Sequence, residues 1–179
     1  MLRAERRSHR YRCPVRVYIP ATLAMLARLV ADEQMHALSG TAFAVTPTLR
    51  ESYAEGDDDE LAEVALREAA MASLRLLAAE GGGELPPRRA VLVAEVDGVT
   101  ARPDLDDAVV RLAGPVGIAD VIAAYVDNAT AESAVTAAVE VVDAADLGDE
   151  DAELTVGDAQ DHDLAWYATQ ELPFLLELL

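Results

Sequence analysis

Phe, Tyr and Trp together make up only 4% of a sequence that is 52% hydrophobic, so a core has to be assembled mainly from Ala, Val and Leu. Small and branched side chains pack closely where helices lie on a sheet, and they suit a β-sandwich poorly. With 179 residues the chain is long enough for one well-buried core and short for two. The expectation is an α/β fold in one domain. No apolar run approaches the about 18 residues that a membrane-spanning helix requires.

The pattern along the chain sharpens this. VRVYI (15–19) is β-branched and alternating, Pro20 closes it, and Thr22 is placed to cap a helix over Leu23–Asp32 in which Leu23, Leu26, Leu29 and Val30 recur at helical spacing. TAFAVT (41–46) reads as a second strand closed by Pro47, with a helical turn in TLRESY. The acidic run GDDDE then opens a long helix over 60–79, where the positive end of the macrodipole favours carboxylates. GGGELPP (81–87) punctuates the chain as a linker between two halves, 15–80 and 88–143.

In the second half RRAVLVAEV (88–96) and AVVRLA (108–113) read as strands that can pair antiparallel. A short helix is expected near 117–121, a strand at IAAYVD (122–127) and an amphipathic helix over 129–142. Pro20 and Pro115 match, and Leu23 and Leu26 answer Ile118 and Val121, which suggests a weak internal β-α-β-α duplication. Parallel strands joined by helices imply right-handed crossovers, so the architecture expected is a two-layer sandwich with a mixed sheet. A C-terminal helix over 161–172 and the apolar tail PFLLELL close it.

Charge separates the ends. The formal net charge is -19 and every cation is Arg; residues 1–14 hold five arginines and one Glu, whereas 112–179 hold fifteen acids and no arginine. An acidic body repels phosphate, so neither nucleic acid nor a membrane surface is expected as a partner. Residues 1–14 read as a basic N-terminal extension without the apolar core of an export signal, and as disordered; residues 15–179 form the single domain. One cysteine, Cys13, cannot close an internal disulfide, which points to the cytoplasm.

VRVYIPATL, TAFAVTPTLRESYAEGDDDELAEVAL, AGPVGIADVIAAYVD and GDEDAELTVGDAQDHDLAWYATQEL together resemble a functionally uncharacterised family of small acidic actinobacterial proteins, over residues 15–172. Such a family carries no catalytic residues across. Its members typically begin at the VRVYIP strand, which implies that residues 1–14 are an addition.

The stretch 146–163 holds eight carboxylates and His162. As a calcium loop beginning at Asp149 it fails, with Leu154 where glycine is needed and Gln160 at the last ligand position. His9, His36, His162 and Cys13 lack zinc-ligand spacing. No metal and no cofactor are therefore expected, and 146–163 reads as a solvated acidic loop with helix caps. The pair His162 and Asp163 offers acid/base chemistry or simply caps the final helix. Arg50 and Tyr53 follow a strand end, where α/β sheets place ligands; the alternative for Arg50 is a surface ion pair.

On a helix over 158–172, Trp166 falls on the polar face beside His162, Asp163 and Gln170, with Tyr167 at the edge of the apolar face. A lone tryptophan there is either an interface aromatic or is packed on the tail 174–179 or the sheet. The reading is a non-enzymatic protein-interaction or regulatory module that self-associates or binds a basic partner protein. The alternative is a small metal-assisted hydrolase using carboxylates near His162.

Overall fold

The computed structural model describes residues 13–179. Residues 1–12, most of the basic extension expected at 1–14, lie outside the described residues.

Strand β1 (Val15–Ala21) alternates as its pattern demands, turning Val17, Ile19 and Ala21 to one side and Tyr18 to the other. The Thr22 hydroxyl accepts from the Met25 amide at 3.3 Å and starts α1 (Leu23–Asp32), whose Leu23, Leu26 and Leu29 are buried. Strands β2 (Gln34–Met35) and β3 (Thr41–Phe43) flank a short 3-10 turn, and α2 (Pro47–Ser52) leads to the long α3 (Asp58–Glu80). The start of α3 is fixed reciprocally: the Asp57 carboxylate accepts the Glu60 amide and the Glu60 carboxylate accepts that of Asp57. Gly81, at a φ of 71°, ends it in the left-handed conformation that glycine adopts without strain.

Strands β4 (Ala90–Val96), β5 (Thr100–Ala101), β6 (Val109–Arg111), β7 (Val116–Gly117) and β8 (Val121–Asp127) follow, then α4 (Glu132–Asp146), α5 (Glu150–Gln160), β9 (Leu164–Ala168) and α6 (Leu172–Glu177). Seven strands form one sheet in the order β5-β6-β3-β1-β4-β8-β9, while β2 and β7 pair separately.

The sheet divides the core. On one side Val17, Ile19, Leu92, Ala124 and Val126 meet Leu26 and Leu29 of α1 and Leu172 and Leu175 of α6. On the other, Tyr18, Phe43, Val91 and Val93 meet Leu61, Ala65 and Ala69 of α3. A third cluster joins α3 to α4 and α5 through Leu74, Val135, Ala138, Val156 and Ala159. Burial on both faces explains why β4 reads as an unbroken apolar run instead of alternating.

The α/β class is as the sequence implies, but layering and strand direction are not. Every described strand pair is antiparallel, so the sheet is not mixed, and helices cover both faces instead of one. Antiparallel neighbours arise because α1 and β2 return the chain beside β1, and strands from both sides of 81–87 then interleave. The 108–113 strand pairs with β3 and β5, not with β4. The helix expected near 117–121 is a 3-10 turn over Ile118–Asp120, so Ile118 and Val121 do not repeat Leu23 and Leu26 of α1, and the duplication is not seen in those terms. Pro20 does not close β1 but pairs with Val91 within it; on the β3 side the register reaches only Tyr18↔Phe43, so no ladder bond is lost there.

The largest departure lies at the C-terminal end. The acidic loop expected at 146–163 contains α5, capped by the Asp149 carboxylate on the Ala152 amide, with Ala152, Val156 and Ala159 packed inward. The helix expected at 161–172 is strand β9, a 3-10 turn and the start of α6. LAWYA is apolar and aromatic, and pairing it with β8 satisfies its backbone on one side.

Candidate functional site

The turn between α5 and β9 is anchored by two charges that end the apolar strands beside it. Arg89 precedes β4 and Asp127 ends β8, with side chains 3% and 0% exposed. Arg89 Nε donates to Asp127 Oδ2 at 2.8 Å and Nη2 to Oδ1 at 2.7 Å, and the Arg89 amide donates to Oδ2 at 2.8 Å. A bidentate fork with its remaining lone pairs used is the geometry in which a buried pair is tolerated. Nη2 also donates to the His162 carbonyl at 2.8 Å, which fastens the residue two places before β9.

β9 is thereby held against β8 in the register Tyr125↔Trp166, Ala124↔Tyr167 and Asp127↔Leu164. Directly opposed residues share a face, so Leu164, Tyr125 and Trp166 lie on the α3 side, where Tyr125 and Leu164 pack at the edge of the core. Trp166 is 56% exposed. Beside it runs a groove of about 640 Å³ between α3 and the α5–β9 turn, floored by Tyr125 and Leu164 and walled by Met71, Arg67, His162 and Asp163.

Its electrostatics are acidic. Arg67 is taken by Glu63 at 2.6 Å and Arg89 by Asp127, which leaves Glu68, Asp161 and Asp163 without an arginine partner among the described residues. Partial burial pushes the Glu68 carboxyl up, with the charge of Asp106 adding and Arg75 opposing. Elsewhere the Arg75 guanidinium, bonded to Asp146, holds that carboxyl below its ordinary value.

The residues singled out in the sequence are only partly brought together. His162, Asp163 and Trp166 border one groove and edge, but helical proximity between Asp163, Trp166 and Gln170 is gone: at about 3.3 Å per strand residue, Asp163 and Trp166 are separated by about 10 Å. Gln170 is exposed in the 3-10 turn after β9, and Tyr167 points to the opposite face, half-buried against the core that includes α1 and α6. Arg50, on α2, forms an exposed pair with Asp58 at 3.1 Å, and Tyr53 follows it. Both follow β3 along the chain, and β3 lies four strands from β9, which is about 19 Å at about 4.8 Å per strand. His162 makes no ion pair, and no three His, Cys, Asp or Glu side chains are grouped to hold a metal among the described residues.

Arg89, Asp127, Tyr125 and Leu164 were not singled out. A signal was present: a charged residue stands directly at the end of each of two apolar strands, RAVLVA and AAYVD, where only a mutual pair makes burial affordable.

No helix among the described residues is long and apolar enough to cross a membrane. Neither a curated protein nor a solved structure matches the chain. A family described as one of unknown function, DUF6912, has a sequence model that matches residues 15–176, starting at the first residue of β1. The chain belongs to that family of unknown function.

Proposed function

We propose that residues 15–179 act as one domain and form a non-enzymatic protein-interaction module whose binding surface is β9 with the groove beside it. The observation that carries this reading is Trp166, 56% exposed on an apolar strand at the end of the sheet. A large aromatic left in water beside an apolar groove floor is the composition of an interface anchor. The metal-assisted hydrolase is not favoured, because the carboxylates near His162 do not converge with it on one point. The single cysteine supports work in a reducing cytoplasm.

The test is site-specific photo-crosslinking in cells, with benzoylphenylalanine replacing Trp166 and, as a control, Leu105, which is 54% exposed in the loop between β5 and β6, at the end of the strand order opposite β9. A discrete crosslinked protein from position 166 and none from 105 is expected, and Trp166→Ala should weaken the purified pair by at least about tenfold. The reading fails if position 166 crosslinks no more than 105, or if Trp166→Ala binds like the parent.

A further inference from the structure

Resting on that reading, the geometry points to the kind of partner and its mode of binding: an extended, basic-flanked segment of another protein that adds to β9 as an eighth strand. β9 is the last strand of the sheet, and no described strand pairs along its outer side. Its five residues, LAWYA, contain no charge and no proline. Exposed edges of this length are ordinarily blunted by lysine, proline, a bulge or a covering element, because unpaired amides and carbonyls recruit another strand. On β9 alternate residues direct both backbone groups away from β8, and apart from the Ala168 amide, which the Glu171 carboxylate accepts at 2.7 Å, an incoming strand finds donors and acceptors already in register.

Charge selects among possible occupants. Asp161 and Asp163 stand before β9 and Glu171 after it, all exposed, and residues 112–179 contain no arginine or lysine. A strand laid along this edge meets acids at both ends and apolar side chains between them: Leu164 and Trp166 on one face, Ala165 and Tyr167 on the other. The complement is a short apolar, alternating segment flanked by Arg or Lys. A second copy is the wrong partner, since antiparallel pairing of two β9 strands sets Asp161 and Asp163 of each against Glu171 of the other.

The full chain can be tested with acetylated, amidated Arg-Val-Thr-Val-Thr-Val-Arg, a version with Glu at both ends, and a version with Pro at the central Val. Because Trp166 is the only tryptophan, its emission reads the site directly, and hydrogen exchange reads the backbone of residues 164–168. The basic peptide is expected to blue-shift the emission and slow exchange across β9. The Glu-flanked and Pro versions should bind at least about tenfold more weakly, and in Trp166→Lys, which carries no tryptophan and is followed by hydrogen exchange alone, the basic peptide should no longer slow exchange at residues 164–168.

Equal binding of the Glu-flanked peptide overturns the basic partner, and a blue shift without slowed exchange overturns strand addition. If no peptide responds while crosslinking at position 166 persists, this inference falls and the interaction module stands; if crosslinking is absent too, both fall. A dimer whose dilution alone red-shifts Trp166 makes the occupant a second copy and overturns the inference.

Discussion

The two ends of the sheet are built in opposite ways. At one, β5 is two residues long and runs directly into Arg102, Pro103 and Asp104. The Arg102 guanidinium grips Asp104 through two bonds of 2.9 and 2.8 Å, and the Arg102 amide donates to the Val109 carbonyl at 2.8 Å. Shortness, a proline and a fixed pair of charges give another strand nothing to extend. At the other end β9 has five apolar residues, with a tryptophan at its centre. Among the described residues one edge is therefore blunted by familiar means and the other carries no further strand, so the openness of β9 is not a general property of its sheet.

The contrast breaks most severely if the anchor of the open edge is removed. Asp127→Ala strands the Arg89 guanidinium in a site where it is 3% exposed and should cost about 3–5 kcal/mol of stability, measured by urea unfolding. Exchange should rise first at residues 164–168, because the bond from Arg89 to the His162 carbonyl loses its support. An unchanged unfolding midpoint would show that the pair does not hold the edge.

Trp166→Lys sharpens the comparison by giving β9 a guard of the kind β5 carries. With the ring already 56% exposed, the change in folding stability should stay within about 0.5 kcal/mol, read from the thermal midpoint. A loss of several kcal/mol would instead make Trp166 part of the core.

The smallest effect belongs to the blunted edge. The side-chain bonds from Arg102 hold the Asp104 carboxyl down at about 2. A carboxyl lowered in the fold contributes stability that is present above its unfolded value and lost as pH falls through the folded one, so here the window runs from about pH 4 down to about pH 2. Arg102→Ala should return Asp104 to an ordinary carboxylate titration, visible by NMR, and flatten stability in that window. Because the pair lies at the surface, the midpoint at neutral pH should hardly move. An Asp104 titration unchanged in the variant would assign the shift to another group.

Legibility in the sequence followed the range of the interactions. α1 was readable to the residue, Leu23–Asp32, because Thr22 caps it and Leu23, Leu26 and Leu29 fall on one face within ten residues. α3 was readable because the acidic run and Gly81 mark its ends. α5 was missed: its inward face is only Ala152, Val156 and Ala159, and it is helical because α4 and α3 supply the surface it covers. The site was legible as a set of residues near Trp166 and illegible as a shape. LAWYA satisfies a helical wheel and a strand equally well over five residues, and only the vacant side of β8 decides between them.

By itself the sequence determined the class of the fold, the composition of its core, the acidity of its C-terminal half and the ends of its well-capped helices. Each of these depends on side-chain chemistry or on hydrogen bonds reaching three or four residues along the chain. Tertiary structure decided strand order, the antiparallel direction of every described pair, the coverage of both faces and the exposure of Trp166. Those depend on partners tens of residues apart, as Arg89 and Asp127 are. The energy of such contacts exists only after the chain has closed the loops between them, so no local pattern could encode which edge of the sheet would be left open.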